Sequence, residues 1–327
     1  MARGTLADFI NELGLFHSMN RYDAVNSSNQ LGRFALTEAF LMEIGMVGND
    51  GEPFNNDYSG GWTGKHGINS KEAFLNSPPT QDMVIHDFLG RQLNNLRDLA
   101  HYDGQIINGY EISLSGLLGA VSSIESREVR RFMELGGEYN PKWPDTPRIS
   151  ESISRFNGYD LPYKVDQNES YTFMGSDGPD AIRGYAGNDY FVAKGGDDTF
   201  DGGEDIDTIV LPGNRSEFKL ANELGATTVQ IKRELNNGRV EHKEIRNVEL
   251  VEFADGEIVD LRITRFDATI EEPTTQATVH IATRPVPIEV PLVPLRIDKA
   301  EVGALDDTEV GTIGVRKEDE RSGTVDA

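Results

Sequence analysis

The chain of 327 residues contains no cysteine. Disulfide staples, thiolate catalysis and every cysteine-ligated zinc site are thereby excluded. Long apolar runs are missing too, and no stretch approaches the roughly 18 apolar residues that a membrane-spanning helix needs. The opening Met1–Phe16 carries Asp8 and Glu12 and no apolar run of secretory length, so no cleaved N-terminal signal is expected. Basic residues are scarce, with 31 Lys and Arg against 55 Asp and Glu, a formal net charge of −24. That balance argues against a nucleic-acid partner, because too few cations are available to neutralise phosphates. It makes divalent cations the natural partner instead.

What is present divides the chain by texture. Up to about residue 162 the pattern is helical. The stretch 31–45 has helical spacing in its second half, with Phe40, Leu41 and Ile44 on one stripe and Gly45 as a stop. Further helices are expected over 70–75, capped by Ser70, over 80–99 after Pro78 and Pro79, over 113–120, over 127–135 and over 148–157. A turn-rich stretch, 48–67, holds Trp62. From Val165 glycine and aspartate dominate. Residues 211–262 alternate apolar and polar, as in Thr228-Val229-Gln230-Ile231-Lys232, with Asn236-Asn237-Gly238 as a turn, and predict short antiparallel strands. Beyond about Thr264 the prolines and acids predict an extended, flexible tail.

Residues 175–210 fall into four consecutive nonapeptides starting at Gly175, Gly184, Ala193 and Gly202. The sixth position is always aspartate (Asp180, Asp189, Asp198, Asp207) and the eighth always a large apolar residue (Ile182, Phe191, Phe200, Ile209). A glycine-rich turn exposes backbone carbonyls, and together with carboxylates these supply the roughly six to eight oxygens that Ca²⁺ takes. Nine acids here face only Arg183 and Lys194, an excess of seven negative charges. Without a cation the segment repels itself. A plain flexible linker would not keep four aspartates and four apolar residues in phase.

The pattern resembles the Gly-Gly-x-Gly-x-Asp-x-U-x repeat of haemolysin-type RTX proteins. Ala193 and Asp205 depart from it, each standing where the repeat has glycine. The resemblance implies a parallel β-roll in which alternate repeats stack on one side, so that Asp180 shares a calcium site with Asp198 and Asp189 with Asp207. It also implies export by a type I secretion apparatus and an extracellular or cell-surface location.

The N-terminal region resembles lysozyme-like domains, near the lytic transglycosylases. The resemblance rests mainly on residues 11–45, on Trp62-Thr63-Gly64-Lys65 and on Ser115-Gly116-Leu117-Leu118-Gly119-Ala120. In that group a helix ends in Glu-Ser, and a glutamine-containing turn follows about a dozen residues later. Here His17-Ser18 stands on the catalytic acid and Ala35 on the glutamine. Glycosidic cleavage needs a protonated carboxyl beside the leaving oxygen, which imidazole replaces badly. Glu38, one turn beyond Ala35, is the best surviving carboxylate for catalysis. His66, His86 and His101 have no metal-ligand spacing and read as packing or surface residues.

The expected whole is a multidomain α + β chain. It comprises a mainly α-helical lysozyme-like domain (1–162), a calcium-binding β-roll (163–210), a strand-rich cap (211–263) and the tail (264–327), which is the expected carrier of the export signal. The favoured role for the helical domain is to bind peptidoglycan or another glycan without cleaving it. The alternative is a peptidoglycan-cleaving muramidase.

Overall fold

In the computed structural model, which describes residues 3–144, 146–163, 165–222 and 228–263, the helical region begins with α1 (Leu6–Ser18). A capping box starts it: the Thr5 hydroxyl accepts from the Asp8 N–H, and the Asp8 carboxylate accepts from the Thr5 N–H at 2.8 Å. Residues 31–36 form a tight turn, with paired backbone bonds between Leu31 and Leu36. Only then does α2 (Glu38–Glu43) begin, capped by Thr37, so the helix occupies just the second half of the 31–45 stretch. Ser70 caps α3 (Lys71–Leu75). In α4 (Pro78–Asn95) both prolines sit in the first turn, where a missing N–H costs no intrahelical bond.

Three helices complete this region. Ser113 caps α5 (Leu114–Val121), which is buried along its whole length, and Gly136 and Gly137 stop α6 (Ser126–Glu134). The last is α7 (Ile149–Phe156). A side chain at Gly119 would put its Cβ 2.2 Å from the Phe156 ring, so glycine lets α5 and α7 approach closely.

The repeat segment alternates between two sheets. β4 (Ala181–Arg183) and β6 (Asp198–Asp201) pair in parallel in one. β3 (Thr172–Met174), β5 (Tyr190–Val192) and β7 (Thr208–Leu211) pair in parallel in the other. The registers Ile182↔Phe200 and Phe173↔Phe191↔Ile209 stack the eighth-position residues between the sheets. The Phe173 and Phe191 rings are parallel at 5.2 Å, and Phe200 meets Phe191 edge-on at 5.7 Å. The chain is therefore of mixed α and β class.

Both ends of this stack are covered. At the far end β8 (Phe218–Asn222), β9 (Thr228–Glu234) and β10 (Val240–Arg246) form an antiparallel meander, and β11 (Leu250–Phe253) pairs antiparallel with β12 (Ile258–Asp260). The expected antiparallel pairing holds within this block, but β10 runs parallel to β6 and β11 parallel to β7. The block thus extends both sheets.

At the near end a small hairpin between α4 and α5, β1 (Ile106–Ile107) with β2 (Tyr110–Glu111), pairs with β4 through Ile106↔Ala181. The side chain of Gln105 acts as one more rung, donating to the Arg183 carbonyl at 3.0 Å and accepting from the Arg183 N–H at 2.7 Å. His101 stacks on Tyr171 at 4.9 Å and packs edge-on against Phe173. One hydrophobic core runs from Phe9 in α1 to Val259 in β12. The expected tail, 264–327, lies outside the described residues.

Candidate metal centre

The sixth-position aspartates stand at the ends of the glycine-rich turns and form two ladders, one on each side of the stack. On the first, the Asp180 N–H donates to Asp198 Oδ1 at 3.0 Å, while Asp180 Oδ1 accepts from the Asn108 N–H of the hairpin at 2.6 Å. On the second, the Asp189 N–H donates to Asp207 Oδ1 at 2.7 Å, and Asp189 Oδ1 accepts from the Tyr171 N–H at 2.7 Å. Turns of neighbouring coils lie almost in contact. A Cβ on Gly196 (φ 94°) would stand 2.2 Å from the Gly178 carbonyl oxygen, so carbonyls and carboxylates share a space that side chains cannot enter. Asp205 takes the left-handed conformation at φ 75° in place of glycine.

The cap ends the two ladders differently. Strand register places Lys243 opposite Asp198, and Glu249 one residue before the Leu250↔Thr208 pair, hence beside Asp207. Lys243 is only 2 % exposed, and its ammonium donates to Asp198 Oδ2 and to the carbonyls of Gly195 and Gly196 at 3.2 and 3.3 Å. A buried ammonium thus takes a carboxylate and two turn carbonyls, the donor set a hard cation would use. On the other ladder Glu249 accepts from the Asp207 N–H at 2.8 Å and adds a further negative charge.

The second oxygens of the aspartates show the same contrast. Asp180 Oδ2 accepts from the Ser176 N–H at 2.7 Å, and Asp198 Oδ2 is held by Lys243. Asp189 Oδ2 and Asp207 Oδ2 are buried with no hydrogen-bond partner; on the Lys243 side the aspartate oxygens are satisfied, and the orphan there is Oε2 of Glu241, whose Oε1 accepts from the Gly196 N–H at 3.2 Å. A buried carboxylate oxygen without a donor is costly, and a cation is the usual remedy. The Asp189–Asp207 side therefore fits Ca²⁺. At the Asp198 turn the place is taken by Lys243.

Burial pushes the Asp189 carboxyl up to about 8, against a lowering hydrogen bond from Tyr171 and with the Asp207 charge adding to the rise. Burial likewise pushes Asp207 up to about 7; the Asp189 N–H opposes the rise, and Glu249, Asp205 and Asp201 reinforce it. Asp198 is raised to about 7 by burial, with the Lys243 ammonium pulling it back. Without a cation, burial therefore favours the protonated forms of Asp189 and Asp207, whereas Asp198 has the Lys243 ammonium.

Sequence reading missed Lys243, Glu249 and Asn108. A signal exists for the first two. Lys243-Glu244-Ile245 and Glu249-Leu250-Val251 keep the spacing between sixth and eighth repeat positions after the glycines have gone. Asn108 carries no such signal, because it reaches the ladder only through tertiary docking.

The residues singled out in the helical region separate. His17 lies in the last turn of α1, and its Nε2 is 3.0 Å from Ser122 Oγ. Burial first, and then the Arg155 charge, lower its pKa to about 4, so the ring is neutral at pH 7. It lines a cleft of about 320 Å³ with Phe34, Ala35, Phe40, Phe88 and Ser122. Among the described lining residues the carboxylate is Glu125, which is ion-paired with Arg127 at 2.9 Å. Glu38 does not line this cleft. It is wholly buried beside Asp50 and Asp57. Trp62 packs on Phe74 at 5.4 Å and on Tyr58 at 6.1 Å.

Residues 174–209 match the RTX calcium-binding nonapeptide repeat in four copies. Repeats of this kind bind Ca²⁺, which makes the chain a calcium-binding protein through this segment. No curated protein matches the chain at a significant level.

Proposed function

We propose that the chain is a secreted protein in which calcium fills one side of a short parallel β-roll, the side of Asp189, Asp207 and Glu249. Lys243 closes the Asp198 turn of the other side with its own charge. The observation that carries this reading is the contrast between the partnerless Oδ2 atoms of Asp189 and Asp207 and the ammonium-bound Oδ2 of Asp198. Calcium supplies the positive charge that lets adjacent acidic turns stack; the turns supply a carboxylate and carbonyl cradle that excludes side chains. Isothermal titration of the full chain should show calcium binding that Asp207→Asn weakens strongly and Asp180→Asn weakens little. Equal loss in both variants would refute the one-sided loading.

The helical region, residues 1–162, acts in this reading as a lysozyme-like domain that binds peptidoglycan or another glycan and does not cleave it. Support comes from His17 standing in the cleft where the resemblance requires a carboxylic acid, and from Glu38 being buried and not lining that cleft. Retention on purified cell walls without any fall in turbidity is the expected result; lysis would show cleavage. Export through a type I apparatus, guided by residues 264–327, completes the reading. Loss of secretion on deleting 268–327 tests it, and normal export of the shortened chain would overturn that route.

A further inference from the structure

Glu38 is the first residue of α2 and its side chain is 0 % exposed, yet neither carboxylate oxygen has a hydrogen-bond partner. Buried carboxylates are ordinarily supplied with donors or a counter-charge, because leaving them bare is among the costlier defects a fold can carry. What faces Glu38 instead is more negative charge. One carboxylate oxygen from each of Glu38, Asp50 and Asp57 lies within 4.8 Å of the others. No Lys, Arg or His is ion-paired with any of the three among the described residues.

The loop after α2 is tied to that arrangement. Asn56 Oδ1 accepts from the Glu38 N–H at 2.8 Å, which pins the segment between Asp50 and Asp57 against the start of the helix. Asp50 and Asp57 each have local donors: Asp50 Oδ1 takes the Glu52 N–H at 2.8 Å and its Oδ2 the Ser59 hydroxyl at 2.8 Å, while Asp57 Oδ1 takes the Ser59 N–H at 2.8 Å and its Oδ2 the Asn55 amide at 3.1 Å. Those bonds hold the two side chains in place and leave lone pairs on the same carboxylates. Three carboxylates converging from a helix start and a loop form an all-oxygen donor set of high charge. Such a set suits a hard divalent cation, and Ca²⁺, which takes roughly six to eight oxygens in irregular geometry, asks less of it than the strict octahedron of Mg²⁺.

We propose that Glu38, Asp50 and Asp57 hold a calcium ion in the helical region, separate from the repeats. The buried, partnerless Glu38 is its anchor, and Asp50 and Asp57 close it from the solvent side. This inference stands on different residues from the β-roll and does not depend on how the roll is loaded.

Trp62 offers a local reporter, because it stacks on Tyr58, the chain neighbour of Asp57. Terbium(III), an oxygen-seeking substitute for Ca²⁺, should give indole-sensitised emission in the full chain that Ca²⁺ displaces and that Trp62→Phe removes. Asp57→Asn and Glu38→Gln should each abolish that emission and reduce the bound calcium, counted by elemental analysis after dialysis, by one ion per chain. Asp207→Asn should leave the Trp62-excited emission intact while removing calcium from the repeats, so failure of one reading is distinguishable from failure of the other. Asp57 is exposed, so its variant decides the question even where Glu38→Gln fails to fold. Unchanged emission and unchanged calcium count in Asp57→Asn would overturn the proposal.

Discussion

Replacing Lys243 by Met removes the ammonium from the Asp198 turn while keeping most of the side-chain volume. In the calcium-free protein this leaves a buried carboxylate that has lost its counter-ion, together with the carbonyls of Gly195 and Gly196. Breaking one partner out of a buried pair costs about 3–5 kcal/mol, because the remaining charge is not resolvated. The loss should therefore be large in chelator. In calcium it should be small: the vacated donor set is one that Ca²⁺ can fill, and a ligand at 100 times its dissociation constant restores about 2.7 kcal/mol.

Urea unfolding of the full chain, with chelator and with millimolar calcium, gives both numbers. Counting bound calcium gives the second readout, with one ion more in Lys243→Met than in the native chain. An equal stability loss under both conditions, with the calcium count unchanged, would refute the idea that Lys243 occupies a metal position and leave it as an ordinary ion pair.

The raised carboxyls of Asp189 and Asp207 set a pH dependence whose sign is fixed. Their folded values of about 8 and about 7 exceed the usual 3.8, so between about pH 4 and pH 8 the calcium-free native state holds more protons than the unfolded chain and its stability falls as pH rises. Calcium must displace those protons. Its affinity should rise with pH across that window, and titration at pH 6 in buffers of different ionisation heat should show release of about two protons, whereas heats independent of buffer would count against these groups as ligands. Phe191→Ala, which empties the space between Phe173 and Phe200, should cost about 3–5 kcal/mol in urea unfolding; a change below about 1 kcal/mol would mean that the stacked rings do not hold the sheets together. The native chain should leave cell-wall turbidity unchanged, and His17→Glu is the single change expected to introduce lysis; lysis by the native chain that survives His17→Ala would place the acid elsewhere.

Much of the calcium segment was legible because its constraint is local. A nine-residue period with aspartate sixth and an apolar residue eighth dictates both the turn and the buried side chain, and neither depends on distant sequence. The same holds for helix starts such as Ser70 and Ser113 and for stops such as Gly45 and Gly136, where one or two residues settle the backbone.

Tertiary structure alone decided which of the repeat aspartates keep unpaired oxygens. Lys243 and Asp198 are 45 residues apart and meet through the parallel pairing of β10 with β6; the spacing kept by Lys243 and Ile245 marks a strand of repeat type but not the strand it pairs with. The hairpin at 106–111 was invisible for the same reason. Two-residue strands have no periodicity to read, and Asn108 and Gln105 gain their roles only by docking on the first repeat. Glu38 shows the limit most plainly. Its helix position was readable, but a carboxylate on a helix looks alike whether it faces solvent or a buried cluster. Only the return of the loop carrying Asp50 and Asp57 determines which it is, because burial and charge depend on what packs against a residue and not on its neighbours in sequence.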